Sequence, residues 1–316
     1  MMRMMTMSSL LNNPLGRKPH TVSFLQRTIR NKQFDDAIEA IRRSHKTTGH
    51  KNSKSLMLLG PSGAGKSTLV NTYRWTFPDV VKEDRIVRPI IYVSLQSCVT
   101  PKDILSALLH ACGDPEPGKG TGSSLFRRFK GIADSLKVEL IIIDEIQHVL
   151  PEHTHRRTQE AADTIKSIST DTKIPFILVG LPHGIRLLTD TIKGKHDEEQ
   201  LIRRFNAPVE IKPAALGSKA WQNLIGGYQQ AVGVPCINLT TSDMLKRFHL
   251  ATGGLHGFVA NLLEHALEET DGKQQVCMAH LARAFEFSTG SLSKVGNPFL
   301  LTMPQVEQAL ALRANV

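Results

Sequence analysis

The segment LMLLGPSGAGKSTLV, residues 56–70, constrains the fold of this chain more than any other feature. An apolar run leads into GPSGAGKS, which matches the pattern G-x-x-x-x-G-K-[ST] through Gly60, Gly65, Lys66 and Ser67. Glycines at these positions let backbone N–H groups turn towards phosphate oxygens, and the helix that follows directs the positive end of its dipole at the same anion. The pattern predicts a phosphate-binding loop between a buried strand and a helix.

The residue types in this loop predict a bound ATP with Mg²⁺. Lys66 is expected to reach the β- and γ-phosphates, and Ser67 to ligate the metal. A second acidic element, LIIIDE at residues 140–145, places Asp144 at the end of an apolar strand, where it can hold Mg²⁺ directly or through water. The predicted nucleotide-binding set is Gly60, Pro61, Ser62, Gly63, Ala64, Gly65, Lys66, Ser67, Thr68 and Asp144, with Ser67 and Asp144 as the metal ligands.

Glu145 directly follows Asp144 and is positioned to orient or deprotonate an attacking water. The alternative is that the two carboxylates are only a solvated strand end, and the phosphate loop upstream disfavours it. An acidic residue after the metal-binding aspartate favours ATP hydrolysis over phosphoryl transfer to a small molecule. The sequence therefore predicts an ATPase with Glu145 as its catalytic base.

Apolar runs and amphipathic helical patterns alternate between residues 33 and 212, which predicts an α/β domain with helices on both faces of a parallel sheet. The five predicted strands are SLMLLG, RPIIYVSL, VELIIIDE, IPFILVG and NAPVEI. Residues 213–287 contain only helical patterns and predict a small helical domain. Residues 1–32 are expected to form an irregular N-terminal segment. Residues 288–316 are expected to form a tail that docks a partner or packs as a terminal helix on the helical domain.

Arg203 and Arg204 lie just before the fifth predicted strand, in EEQLIRRFNAPVEI. An arginine there can act as a finger that meets the γ-phosphate in a neighbouring subunit and stabilises charge in the transition state. The alternative is a pair of surface arginines at a helix end, favoured by the helix dipole. The position favours a catalytic finger and does not choose between the two residues.

The chain carries a net charge of +10, from 39 lysines and arginines against 29 acidic residues. A protein this basic commonly binds a polyanion, most often nucleic acid, although a merely soluble surface is the alternative. No apolar stretch approaches the roughly 18 residues expected of a membrane span, and the N-terminus makes a poor signal peptide. We therefore expect a cytoplasmic protein without a membrane partner.

Several of these segments together resemble the TniB/TnsC transposition regulators of the AAA+ ATPase superfamily over roughly residues 30–285. They are the phosphate loop, IIIDEIQHVL, IPFILVGLPHGIRLL, LIRRF and TGGLHGFVANLLEHAL. The resemblance implies an AAA+ P-loop NTPase domain at residues 33–212, followed by a helical lid at residues 213–287. It also groups the chain with the bacterial proteins of Tn-seven-like and CRISPR-associated transposons.

The resemblance implies a function for the nucleotide. Such proteins bind ATP and assemble head-to-tail on double-stranded DNA, as a ring (for instance a heptamer) or as a helical filament. They mark a target and link a targeting factor, here expected to be of the TniQ type, to the transposase. Hydrolysis then disassembles the oligomer.

Two departures from common AAA+ patterns imply slow, regulatory hydrolysis. The fourth strand ends in Gly180, Leu181 and Pro182, where many relatives carry a polar sensing residue, and His183 is only a substitute. The helical domain offers His256 after its two glycines, where many relatives carry a sensing arginine.

In relatives, DNA is gripped by loops after the second strand and before the third, which match SCVTPKDI and PGKGTGSSLFRRFK here. The residues expected to contact DNA are Lys102, Lys119, Thr121, Arg127, Arg128 and Lys130. Because no base-reading motif is evident, contacts to phosphates predict sequence-independent binding. A solvated basic helix face remains the alternative for Arg127, Arg128 and Lys130.

Three other functions share parts of this pattern. A replication initiator or helicase loader has the same AAA+ core but usually adds a winged-helix domain, for which the residues after the lid are too few. An ExeA-like ATPase acts without DNA, which the positive charge disfavours. A small-molecule kinase would leave the helical domain and the paired arginines unexplained.

Overall fold

The computed structural model describes residues 16–96, 99–150, 155–189, 203–289 and 296–314. The chain divides into two compact units. The α/β unit runs from Lys32 to Lys212, and the helical unit comprises the described residues before Lys32 and after Lys212.

Apart from one N-terminal helix and one two-stranded ribbon, the elements follow one another in the order that the sequence patterns predict. The helices are α1 (Pro19–Leu25), α2 (Lys32–His45), α3 (Lys66–Trp75), α4 (Pro101–Ala111), α5 (Gly122–Leu136), α6 (His155–Thr172), α7 (Arg186–Thr189), α8 (Lys219–Ala231), α9 (Ser242–Thr252), α10 (His256–Glu269), α11 (Met278–Ser288) and α12 (Met303–Ala314). The strands are β1 (Leu56–Leu59), β2 (Val80–Val81), β3 (Ile86–Val87), β4 (Ile90–Ser94), β5 (Leu140–Asp144), β6 (Phe176–Gly180) and β7 (Val209–Glu210). Short 3-10 helices occupy Ile146–Val149 and Pro182–Ile185.

The α/β unit contains a parallel five-stranded sheet in the order β4-β5-β6-β1-β7, which confirms the predicted fold class. Ser94 pairs with Asp144 across β4 and β5, and Leu59 pairs with Gly180 across β1 and β6. The carboxyl ends of these strands therefore meet at one edge. A two-stranded antiparallel ribbon of β2 and β3 was not predicted, because two residues a strand are too few to show a periodic pattern.

The central strands are apolar throughout because both faces of the sheet are covered. Leu140 and Ile142 pack in the same buried cluster as residues of α2 and α3. Ile141 and Ile143 point the other way, into a cluster with residues of α4, α5 and α6. The alternation of side chains along β5 thus divides the core into two layers and leaves Asp144 at the open end of the strand.

The N-terminal prediction is wrong for residues 19–25, which form α1, and residues 1–15 lie outside the described residues. Pro19 at the first turn starts the helix, and Phe24 packs in the core of the helical unit near Tyr228. The Lys18 ammonium donates to the carbonyl oxygen of Thr270 over 2.7 Å. Seven residues with two buried side chains are too short for a helical period to be recognised from sequence.

The tail folds back onto the helical unit, as one of its two predicted alternatives expects. The Asn297 amide donates to the Ala282 carbonyl oxygen and to a Glu286 carboxylate oxygen, each over 2.9 Å. Phe299 is buried against Phe248, and α12 packs on α9. Residues 290–295 and 315–316 lie outside the described part of the chain. Among the described helices, none has the length and apolar character of a membrane-spanning segment.

Candidate functional site

The predicted phosphate loop joins the carboxyl end of β1 to the start of α3, as the pattern requires. The Gly60 N–H donates to the carbonyl oxygen of Gly180 over 3.1 Å, which ties the loop to the neighbouring strand. A Cβ at Gly60 would lie 2.6 Å from the Ile211 carbonyl oxygen, so only glycine fits. Gly63 and Gly65 have φ angles of 75° and 89°, a region that favours glycine. Positive φ angles thus explain Gly63 and Gly65, and close packing against the backbone of Ile211 explains Gly60.

The first turn of α3 is arranged to receive an anion. Gly65 occupies the capping position and has no side chain to accept hydrogen bonds from the first N–H groups of the helix. Those donors and the positive end of the helix dipole point out of the helix towards the loop. Ser67 and Thr68 lie exposed in this turn, so their hydroxyls are accessible.

Lys66 starts α3 and turns its side chain back over the loop. Its ammonium donates to the carbonyl oxygens of Gly60 and Pro61, over 2.7 and 2.9 Å. Burial lowers the pKa of Lys66, and the negative charges of Asp144 and Glu145 oppose that shift. The ammonium therefore lies within electrostatic reach of both predicted acidic residues.

Asp144 ends β5 with only 4% of its surface exposed. Its two carboxylate oxygens accept hydrogen bonds from the Glu145 N–H, over 2.8 Å, and from the Tyr92 hydroxyl, over 3.1 Å. Burial raises the pKa of Asp144, and these two donors oppose the increase. A buried carboxylate held in this way is suited to a cation, because hard oxygen ligands are those that Mg²⁺ prefers.

Tyr92 is a site residue that the sequence analysis missed. It lies in β4, its hydroxyl orients Asp144, and the Arg74 guanidinium stacks 4.2 Å above the centre of its ring. Burial, together with the Asp144 charge, raises the pKa of Tyr92 to about 12, so the hydroxyl remains a donor. The one signal in the sequence is a tyrosine within the apolar strand IIYVS.

Glu145 adopts a left-handed backbone conformation, with φ 58° and ψ 39°, at the turn that follows β5. The second missed residue, Gln147, donates from its amide to the Glu145 carboxylate. The amide oxygen of Gln147 in turn accepts from the Leu181 N–H over 3.1 Å. The two acidic residues and the phosphate loop therefore meet at one edge of the sheet.

Arg203 and Arg204 lie near the amino end of β1, at the end of the sheet opposite to the phosphate loop. The Ser55 N–H, just before β1, donates to the Arg204 carbonyl oxygen over 2.7 Å, and Ser55 also pairs with Phe205. Gly60 lies five residue steps along the extended chain from Ser55, or about 16 Å at a strand rise of about 3.3 Å per residue. The structure thus separates the arginines from the phosphate loop of the same chain by the length of β1.

Three of the six predicted DNA contacts have partners in the loop before α5 or in the first turn of that helix. Arg128 pairs with the buried Asp114 carboxylate at 2.5 Å and donates to the carbonyl oxygens of Glu116 and Lys119, over 2.7 and 3.2 Å. Lys119 pairs with Glu116 at 2.9 Å. The Thr121 hydroxyl caps α5 by accepting from the Ser124 N–H over 3.3 Å.

The other three predicted contacts are exposed lysine and arginine side chains. Lys102 lies in the first turn of α4, and Arg127 and Lys130 lie on α5, which packs against α4. Of the six predicted contacts, Arg128 is therefore the partly buried one, and the other five are exposed, Lys119 and Thr121 while also pairing with neighbouring residues.

The family described as "Bacterial TniB protein" matches residues 24–212. A search of curated proteins gave no match.

Solved structures similar to this chain include the ORC2 protein of Aeropyrum pernix in its ADPNP–ADP complexes. It has 18% identity and a TM-score of 0.58, and the match covers 88% of this chain and 74% of that one. The ORC1 protein of Aeropyrum pernix in complex with DNA has 14% identity, a TM-score of 0.56 and coverages of 93% and 81%. A Walker-type ATPase of Pyrococcus abyssi has 16% identity, a TM-score of 0.54 and coverages of 93% and 80%. These likenesses identify the P-loop AAA+ ATPase fold.

Proposed function

This chain belongs to the bacterial TniB protein family, and we propose that it is an ATP-dependent, DNA-binding regulator of transposition. With ATP bound, it assembles head-to-tail on double-stranded DNA and marks a target. It then recruits the transposase and links it to a TniQ-type targeting factor. Slow hydrolysis returns the assembly to subunits. The family match favours this function over a replication initiator or an ExeA-like ATPase.

The nucleotide would bind along the edge where the phosphate loop meets Asp144. The N–H groups at the start of α3 and the Lys66 ammonium supply positive charge to the phosphates. The Ser67 hydroxyl and the Asp144 carboxylate would hold Mg²⁺, which when bound neutralises charge on the phosphate oxygens. Tyr92 and the Glu145 N–H keep the Asp144 carboxylate in place.

Glu145 would act as the base for the attacking water. Its left-handed turn carries the carboxylate past the end of β5, beside Asp144 and within electrostatic reach of Lys66. A base must lie within hydrogen-bond reach of the proton that it takes. Glu145→Gln keeps the size of the side chain and removes the base, so it should bind ATP and hydrolyse little.

The observation that carries the proposal is the position of Arg203 and Arg204, at the far end of β1 from the phosphate loop of the same chain. An arginine side chain cannot span that distance, so a catalytic role for either residue requires a second subunit. A contact between opposite faces of identical subunits is heterologous, and it produces a ring or an open helix. This supports head-to-tail assembly with each active site completed by its neighbour.

Lys102, Arg127 and Lys130 are the proposed DNA contacts. They are exposed on adjacent helices, and a chain of net charge +10 can neutralise phosphates without reading bases. Arg128 instead stabilises the loop before α5, the helix that carries Arg127 and Lys130, while Lys119 and Thr121 pair with neighbours in that loop and at the helix start.

A mixing experiment tests the shared active site. One variant carries Glu145→Gln and has intact arginines, and the other carries Arg203→Ala with Arg204→Ala and has an intact base. Each alone should hydrolyse ATP poorly in the presence of duplex DNA. In an equal mixture, random head-to-tail assembly pairs an intact base with intact arginines at roughly a quarter of interfaces, so activity should return to about that share of wild type. A mixture no more active than the sum of its components would contradict the proposal.

A further inference from the structure

Gln147 connects the proposed base to the end of a neighbouring strand. Its amide nitrogen donates to the Glu145 carboxylate, and its amide oxygen accepts from the Leu181 N–H over 3.1 Å. Glu145 itself stands on a left-handed turn with φ 58°. The carboxylate is thus held by a backbone turn on one side and by a primary amide on the other.

Gly180 makes room for this amide. A Cβ at Gly180 would lie 2.5 Å from the Gln147 amide oxygen and 2.8 Å from the Ile146 Cγ2 atom. The carbonyl oxygen of Gly180 also accepts from the Gly60 N–H over 3.1 Å. One strand end therefore holds both the start of the phosphate loop and the residue that binds Glu145.

We propose that Gln147 is a positioning residue for hydrolysis, which fixes the Glu145 carboxylate relative to the phosphate loop through the end of β6. The inference rests on the proposed role of Glu145 as the base. A glutamate side chain has several rotatable bonds, and a fixed hydrogen bond to one carboxylate oxygen restricts where the other can meet a water molecule. Misplacement of a reacting group by about 1 Å can lower a rate by roughly 100-fold.

Gln147→Met tests the positioning role, because methionine keeps the length of the side chain and removes both hydrogen bonds. The turnover rate should fall roughly 10- to 100-fold, while the dissociation constant for ATP stays within about twofold of wild type. A variant that merely unfolds the site would lose ATP binding as well. Unchanged turnover, or a parallel loss of ATP binding, would overturn the inference.

Gly180→Ala provides an independent test, because its new Cβ displaces the Gln147 amide while leaving glutamine in the chain. It should lower turnover as Gln147→Ala does, and the loss in the double variant should be smaller than the product of the two single losses, since both changes remove the same Gln147 contact and only Gly180→Ala also displaces Ile146. Gly184→Ala is the matched control, because its Cβ would lie 3.2 Å from the same Ile146 Cγ2 atom without meeting Gln147. If turnover of the double variant fell by the product of the two single losses, the inference would be overturned.

Glu145→Gln separates failure of this inference from failure of the proposed function. If Glu145→Gln hydrolyses ATP at the wild-type rate, Glu145 is not the base, and both proposals fail. If Glu145→Gln is inactive while Gln147→Met turns over normally, only the positioning role fails.

Discussion

Arg128 gives the sharpest test of how the structure assigns the basic residues around α5. Its guanidinium contacts the buried Asp114 carboxylate at 2.5 Å and two backbone carbonyl oxygens, those of Glu116 and Lys119. Arg128→Met would leave Asp114 buried without its cation and two carbonyl oxygens without their donor. We expect this variant to destabilise the α/β unit rather than to remove a DNA contact.

The size of the effect follows from these contacts. Breaking a fully buried ion pair costs about 3–5 kcal/mol. The Arg128 side chain is 32% exposed, so water replaces part of what is lost, and we expect about 2–3 kcal/mol. For a unit of this size, each kcal/mol lowers the melting temperature by roughly 2–4 °C, so a decrease of roughly 4–12 °C is expected.

Arg127 is the matched control, since it is the adjacent arginine on the same helix and its side chain is exposed. Arg127→Met should change stability by less than about 0.5 kcal/mol. It should instead weaken binding to duplex DNA and reduce the slope of log K against log salt by about 0.9, the value for one phosphate contact.

Calorimetry and DNA binding at several salt concentrations separate the two variants. If Arg128→Met had the melting temperature of the wild-type protein and also reduced the salt slope, this assignment would be refuted. Arg128 would then contact DNA, and loss of its pairing with Asp114 would not affect stability.

Three further predictions concern the helical unit. Phe299→Ala should destabilise the helical unit by about 3–5 kcal/mol, because Phe299 is buried against Phe248. Hydrogen exchange in α12 should increase, and unchanged exchange would show that Phe299 does not anchor the tail. Burial lowers the pKa values of His249 and His256 in the folded protein, so the unfolded chain takes up protons at a higher pH than the folded chain. The stability that the two neutral histidines contribute is therefore full above about pH 6.5 and should fall as the pH decreases below it. Urea unfolding at pH 7.5 and 5.5 measures this loss. Gly254→Ala should lower the melting temperature, because φ is 75° and its Cβ would lie 2.2 Å from a backbone oxygen, and a wild-type melting temperature would contradict that geometry.

The parts of the site that the sequence predicted are those determined within a few neighbouring residues. The phosphate loop needs glycines at Gly63 and Gly65 because of their own positive φ angles, and Asp144 is recognisable because it ends an apolar run. Strands β1, β4, β5 and β6 were predicted for a similar reason, since each lies in an apolar segment bounded by polar residues or turns.

The parts that the sequence could not predict depend on contacts between distant residues. Tyr92 and Asp144 are 52 positions apart, and Gln147 and Leu181 are 34 positions apart. Arg128 is one of two adjacent arginines, and only the folded loop shows that it pairs with Asp114 while Arg127 faces solvent. A DNA contact and a residue that stabilises the loop can have the same residue type at the same spacing along the chain. The two roles are therefore distinguished only in the folded structure.

Electron microscopy of negatively stained protein with duplex DNA shows whether assembly on DNA depends on nucleotide. The wild-type protein, Lys66→Ala and Glu145→Gln would each be imaged with DNA, without nucleotide, with ATP and with a non-hydrolysable ATP analogue. We expect rings or filaments on DNA for the wild-type protein only when nucleotide is present. We expect none for Lys66→Ala, and assemblies that persist in ATP for Glu145→Gln. Monomers under all conditions, or the same assemblies with and without nucleotide, would contradict ATP-dependent assembly on DNA.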